Sequence, residues 1–453
     1  MDRWAAIDQA IEERFDGWLA ELIELSAIPS ETGDAEPLAA AAAWCADRLR
    51  RVGGEVTLLE VDGKPPLVVG EIGEGPRTLM CVQHYDVQPA SPLDRWTTPP
   101  YEPAIRDGRL FARGATDNKG EFLPRLWAVE AWLAAIGPLP CRVHFFVEGE
   151  EESGSGSLEA MLAQRPELQE ADGALIEGGG LDLDGRPQVA AGSRGIVVVE
   201  LVARTIAYDA HSSAANLLPN AATRLIQAIA TLVDSDGLPA GAWLRAGVRP
   251  PTAAQLAVVD AFPIESLYDY RAEMGIDRFI GGRDGVDVKR ADAFDPTLNI
   301  QGLWSGHLGA EPKTITPAEA HVRIDMRLVP DQDPSEIVAG LRRHLDEHGY
   351  GDIELIRYDD ARAWWTDPAD PIVRAAVDAS EAATGRQASF AVSMPGTTPM
   401  YRFCAAHQVP NTTLGAARDD CRAHAPDENI RLDDLKTATR ITARFLEAFA
   451  ALG

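Results

Sequence analysis

Apolar residues at Ile7, Ile11, Phe15, Leu19 and Ile23 recur at every fourth position, the spacing of one helix face, and predict a first helix over Trp4–Ala27. Ser30-Glu31-Thr32-Gly33 ends it. A second helix is expected near Glu36–Val52, closed by Gly53-Gly54. Short β-like runs follow at Val56–Val61, Leu67–Ile72 and Thr78–Gln83. Asn118–Ile136 reads as a long helix stopped by Gly137-Pro138, and Cys141–Glu148 as an apolar strand. Helices alternating with buried strands indicate an α/β sandwich.

The middle of the chain has a different texture. Gly195–Val202 reads as a strand and Asn220–Val233 as a helix, followed by a stretch of little periodicity, Asp236–Phe294. Strands near Thr297–Leu303 and Ala320–Leu328, a helix at Pro334–Glu347 and a strand at Ile353–Tyr358 complete a β-α-β-β-α-β order. That order suits a small separate domain with an open sheet. Alternating helix and strand return over Trp364–Gly453. With no internal repeat and no low-complexity linker, an inserted domain is expected rather than two in tandem.

Composition narrows the function. The chain has 453 residues, 45% hydrophobic and 25% charged, the balance of an ordinary globular protein large enough for two domains. A formal net charge of −28 repels nucleic acid and anionic membranes, so neither is an expected partner. Asp2, Asp8, Glu12, Glu13 and Asp16 near the start give no basic, unbroken apolar secretory signal, and a cytoplasmic location is expected. The 5 cysteines are scattered, with no CxxC pair, and read as reduced, mostly buried thiols.

Candidate chemistry gathers at strand ends. Thr78-Leu-Met-Cys-Val-Gln-His84-Tyr-Asp86 delivers a histidine and a carboxylate where an α/β sheet binds its ligands. Asp117 lies in the Gly-flanked run Arg113-Gly-Ala-Thr-Asp117-Asn-Lys-Gly120, where a helix N-cap would also explain it. Phe145-Phe-Val-Glu148-Gly-Glu150-Glu151-Glu152 ends a strand in crowded carboxylates, which a cation would neutralise. Gly173-Ala-Leu-Ile-Glu177 ends another, and Asp182-Leu-Asp184-Gly185 after it reads as a turn. The polar loop Arg418–Glu428 carries His424 before the final helix. His344-Leu-Asp-Glu347-His348 matches an H-x-x-E-H zinc motif, but it reads better as the polar end of a helix closed by Gly349.

The ordered set His84-x-Asp86, Asp117, Glu151-Glu152, Glu177 and His424 resembles the M20 metallopeptidase family, which includes carnosine dipeptidases, aminoacylases and glutamate carboxypeptidases. Arg194-Gly195, Asp209-Ala-His211-Ser, Lys313-Thr-Ile-Thr-Pro317 and Arg327-Leu-Val-Pro330 extend the likeness, which looks most like the dipeptidase branch. The resemblance implies a zinc-peptidase-like α/β/α catalytic domain (1–193 and 365–453) with an inserted α+β lid and dimerisation domain (194–364). It implies a dinuclear-metal hydrolase cleaving the amide bond of dipeptides or small peptides, or alternatively of N-acyl or N-carbamoyl amino acids. Two divalent cations per subunit are implied, zinc first, with cobalt or manganese as alternatives. His84 and Glu177 would hold one, Glu152 and His424 the other, with Asp117 bridging. Glu151 would be the general base for the attacking water, and Asp86 would hydrogen-bond the ring of His84. His211 would act on the oxyanion from the partner subunit of a homodimer. Arg327, Gly396 and Thr397 would bind a substrate carboxylate. A cis peptide is expected between Asp117 and Asn118.

Three positions depart from the family pattern. Glu177 stands where the family's dipeptidases usually carry Asp; Glu is commoner in deacylases and carboxypeptidases. Gly396-Thr-Thr-Pro399 replaces Gly-Gly-Ser-Ile-Pro, and Asp209-Ala-His211-Ser-Ser replaces Asp-Leu-His-Ser-Gly.

Overall fold

A computed structural model describes residues 2–453. The chain forms two compact units. Among the described residues the first comprises 2–192, 365–394 and 398–453; the second comprises 193–364 together with Pro395–Thr397.

In the first unit a six-stranded sheet runs in the order Glu55–Leu59, Leu67–Ile72, Arg142–Glu148, Thr78–His84, Gly173–Ile176, Asn411–Thr413. The strands from Arg142–Glu148 to Asn411–Thr413 pair in parallel, while the Glu55–Leu59 edge is antiparallel. Parallel strands need cover on both faces, so their sequences run apolar without alternation. Leu79, Met80, Cys81 and Val82 are accordingly all buried. The helices Arg3–Ser26, Lys119–Ala135 and Leu432–Ala450 pack together, and Trp18 stacks on fully buried Trp127 at 5.5 Å. Burying a large apolar side chain contributes about 1.5–3 kcal/mol, so this aromatic seam is a principal anchor for the helix that follows Asp117. The register sets His84 beside Glu148 at the carboxyl ends of their strands.

The second unit holds a four-stranded antiparallel sheet in the order Asn299–Ser305, Glu319–Leu328, Gly195–Arg204, Glu354–Ala361. The helices Ala221–Ile229 and Pro334–Glu347 cover its apolar face, with Val197, Val199, Leu225, Ile324 and Leu341 at its centre. Residues expected to lack periodic structure differ from expectation: Ala253–Ala261, Glu265–Glu273 and Gly285–Phe294 are helices. Among the described residues no helix is long and apolar enough to cross a membrane.

Candidate metal centre

The Thr78–His84 strand ends on a buried imidazole whose two nitrogens are both engaged. Nδ1 lies 3.0 Å from the backbone oxygen of Asp86 and 3.3 Å from its Oδ1. Nε2 faces Asp117 Oδ1 at 3.1 Å and Glu177 Oε2 at 3.2 Å. Asp86 also accepts the backbone N–H groups of Glu151 and Glu152, at 3.3 and 3.0 Å. One carboxylate thus orients the histidine and pins the turn that carries the glutamates.

Asp117 divides its oxygens. While Oδ1 faces His84, Oδ2 lies 3.0 Å from His424 Nε2, which in turn lies 3.3 Å from Glu152 Oε2. Two His–carboxylate sets therefore flank the aspartate: His84 with Glu177, and His424 with Glu152. The side chains of His84, Glu151 and Glu177, and of His84, Asp117 and Glu152, each bring potential ligand atoms within 4.8 Å of one another. Glu151 Oε2 is 4.0 Å from His84 Nε2. Glu152 Oε1 is buried and has no hydrogen-bond partner. An orphaned carboxylate oxygen on a side chain grouped with His84 and Asp117 fits a divalent cation of the zinc type. His424 holds a left-handed backbone, φ +62, which costs energy in a non-glycine residue and collects at functional sites. The Asp117–Asn118 peptide is cis, as expected.

The protonation pattern follows from the geometry. Burial alone would lower the His84 pKa, but Asp117, Asp86 and Glu177 around it hold it well above the ordinary histidine value. Hydrogen bonds to Asp117 and Glu152 push His424 up to about 10. Burial raises Asp117, yet the two imidazoles hold its carboxyl well below the usual range. Burial, then the neighbouring Glu177 charge, pushes Glu151 well above its ordinary value.

Several contacts were not readable in the sequence. Asn118 Nδ2 donates to Glu177 Oε2 at 3.2 Å, and Gln88 Nε2 to Glu152 Oε2 at 2.9 Å. Glu428 accepts from the Asp117 loop and Glu121 from Gly178 N–H. The only local signal was a carboxylate four residues after His424. A cavity of about 10 Å³, room for one water, lies behind the cluster between His84, Glu148, Glu151, Glu177 and Met400.

The remaining predicted residues lie in the second unit. Arg327 ends the Glu319–Leu328 strand and donates to Thr397 Oγ1 at 2.7 Å, while the Gly396 carbonyl accepts from Arg194 N–H at 2.9 Å. His211 is exposed, and its Nδ1 accepts the Ser213 N–H at 3.1 Å. His344 and His348 stack at 4.1 Å, but His344 Nε2 is on Thr231 Oγ1 and His348 Nδ1 is on the His344 carbonyl. Neither joins a cluster of potential ligands among the described residues.

The profile of peptidase family M20/M25/M40 matches residues 80–448, and the chain belongs to this family of metallopeptidases. It is 29% identical over 365 residues to the human Beta-Ala-His dipeptidase, covering 75% of this chain and 70% of that one. The Cys-Gly metallodipeptidase of Schizosaccharomyces pombe is 25% identical over 355 residues, 74% of each chain. A solved M20 family metallo-carboxypeptidase from Sulfolobus solfataricus superposes with a TM-score of 0.90 at 31% identity, covering 96% of this chain and 99% of that one. Metal-dependent peptide hydrolysis is the activity of the class.

Proposed function

We propose that the chain hydrolyses the amide bond of dipeptides or small peptides bearing a free C-terminal carboxylate. The observation that carries this reading is Asp117, whose two oxygens each face a separate His–carboxylate set. His84 and Glu177 would hold one divalent cation, Glu152 and His424 a second, and Asp117 both; zinc suits these ligands first, then cobalt or manganese. Such ions, when bound, would polarise the scissile carbonyl and acidify the attacking water. Glu151 takes the water's proton and passes it to the leaving nitrogen. Its burial and the Glu177 charge strengthen it as a base. Asp86 holds the Glu151 backbone in place while fixing the His84 ring. Arg327 supplies a planar fork for a carboxylate, with Thr397 and Gly396 beside it, and His211 from the partner of a homodimer stabilises the oxyanion. The proposed compartment is the cytoplasm, which suits the free cysteines, four of them buried.

Glu177 and the likeness to a carboxypeptidase favour a second reading, in which the acyl side extends beyond one residue. The test is a chelated sample, reloaded with zinc, cobalt or manganese, and assayed on dipeptides, longer peptides, C-terminally amidated peptides and N-acyl or N-carbamoyl amino acids. Chelation should abolish turnover, a metal should restore it, and amidation should weaken it. Full activity without metal would sink the reading. Preference for N-acyl or N-carbamoyl substrates would make the chain a deacylase.

A further inference from the structure

Four hydrogen bonds from the loop that carries Asp117 converge on one side chain from a distant part of the sequence. Glu428 is fully buried. Its Oε1 accepts the backbone N–H groups of Thr116 and Asp117, at 2.9 and 3.0 Å. Its Oε2 accepts the Gly114 N–H at 3.0 Å and Arg113 Nη1 at 2.7 Å. Neighbouring backbone reinforces the link: Ala112 N–H donates to the Glu428 carbonyl at 3.2 Å and Thr116 Oγ1 to the Asn429 carbonyl at 2.8 Å. The Asn429–Arg431 strand pairs with Arg109–Phe111, which brings the two segments together in the first place.

The segment that carries this carboxylate also closes the loop on the other side of the site. Glu428 follows His424 by four residues, and Asn429 N–H donates to the Cys421 carbonyl at 2.8 Å, closing the loop around His424. Asp117 and His424 are 3.0 Å apart, yet their loops are some three hundred residues apart in sequence. We propose that Glu428 is a positioning residue that couples these loops, so that the Asp117 carboxylate stands ready for cations before they arrive. This rests on reading Asp117 as a metal ligand.

The chemistry requires a carboxylate. Both oxygens accept two donors, so four N–H bonds converge on one group. Glutamine has a single acceptor oxygen, and its NH₂ would face a pair of donors whichever way the amide turns. Aspartate keeps the charge for Arg113 but is one methylene short of the Thr116 and Asp117 N–H groups. A ligand held by a preset shell binds without first ordering its loop, and losing such outer partners typically costs about 10–100-fold in metal affinity.

The experiment measures zinc affinity of the full chain by chelator competition, with melting temperature recorded with and without zinc. Wild type, Glu428→Gln and Glu428→Asp are compared with Leu225→Ala, which opens a cavity in the second unit's core. Glu428→Gln should lose roughly 10–100-fold in affinity, with Glu428→Asp between it and wild type, and the melting-temperature gain on zinc addition should shrink in step. Leu225→Ala should melt earlier without zinc and keep its zinc affinity. Native affinity in both folded Glu428 variants would overturn the proposal, and so would a loss no larger than that of Leu225→Ala. If neither Glu428 variant folds, the residue is structural and the proposal fails. A wild-type chain that binds no zinc would instead fail the metal-site reading itself.

Discussion

At the scale of single residues, charge balance decides the behaviour of the site. His84, His424 and Glu151 all have pKa values raised by their surroundings in the absence of cations, the first two by carboxylates and the third by burial. Imidazole must be neutral to bind a metal, so loading near neutral pH must expel protons. Zinc titration of the chelated protein in buffers of different ionisation enthalpy should report release of roughly two to three protons, one from each histidine and the third from Glu151, which must be ionised to act as a base. Zero release would remove the two histidines from the ligand set. Glu151→Gln should keep zinc affinity and melting temperature while turnover falls by about two to four decades, the usual cost of losing a general base. Near-normal turnover would place the base elsewhere. His84, Asp117, Glu152, Glu177 and His424 were legible because each follows an apolar run or sits in a glycine-flanked or polar loop. Glu428, Asn118 and Gln88 were not, because their partners come from remote segments and no local pattern encodes a hydrogen bond between distant loops.

At the scale of elements, the helix Lys119–Ala135 shows what positioning costs. Its first turn carries Glu121, buried to 5% exposure, with Oε2 accepting the Gly178 N–H at 2.9 Å and lying 3.6 Å from Arg125. Burial pushes the Glu121 carboxyl up from 4.5 to about 7, against the pull of Arg125. Between these values the folded chain holds a proton that the unfolded chain has released. The group's contribution to stability is therefore full below the unfolded value and falls as pH rises through the folded one. Glu121→Gln should remove this slope in the metal-free protein. The variant should match wild type near pH 4.5 and exceed it above pH 7 by at most about 3–4 kcal/mol, as one pKa unit is about 1.4 kcal/mol. Calorimetric melting of both chains with chelator across this range checks it; parallel pH profiles would exclude Glu121 as the source. The long helices and central strands were readable because apolar stripes or runs mark them. Ala253–Ala261 and Glu265–Glu273 were missed for the opposite reason: the first buries only Val259 and the second buries nothing, so neither carries a core-facing stripe. The first is announced only by its Thr252–Gln255 capping box.

For the whole molecule, the second unit poses the question of assembly. Its sheet ends in the strands Asn299–Ser305 and Glu354–Ala361, and an uncovered strand edge invites pairing. Large apolar side chains on its loops, Tyr208, Leu217 and Leu308, are 78%, 80% and 72% exposed. Tyr208 and Leu217 flank His211 in sequence, so the proposed oxyanion residue lies on a segment with apolar surface to bury. A twofold dimer through this unit would cover that surface in both copies at once and bring each His211 to the other chain's metal centre. Complementation tests the arrangement. A His211→Ala chain lacks the partner's contribution and a Glu151→Gln chain lacks its own base, so each alone should be nearly inactive. In a mixed dimer, the site on the His211→Ala chain has an intact Glu151 and receives His211 from its partner. Activity should therefore reappear as subunits exchange, reaching about a quarter of wild type at equal mixing, because half the dimers are mixed and each carries one complete site. Exchange demonstrated by differently tagged chains, with no activity returning, would show that His211 does not act across a subunit boundary.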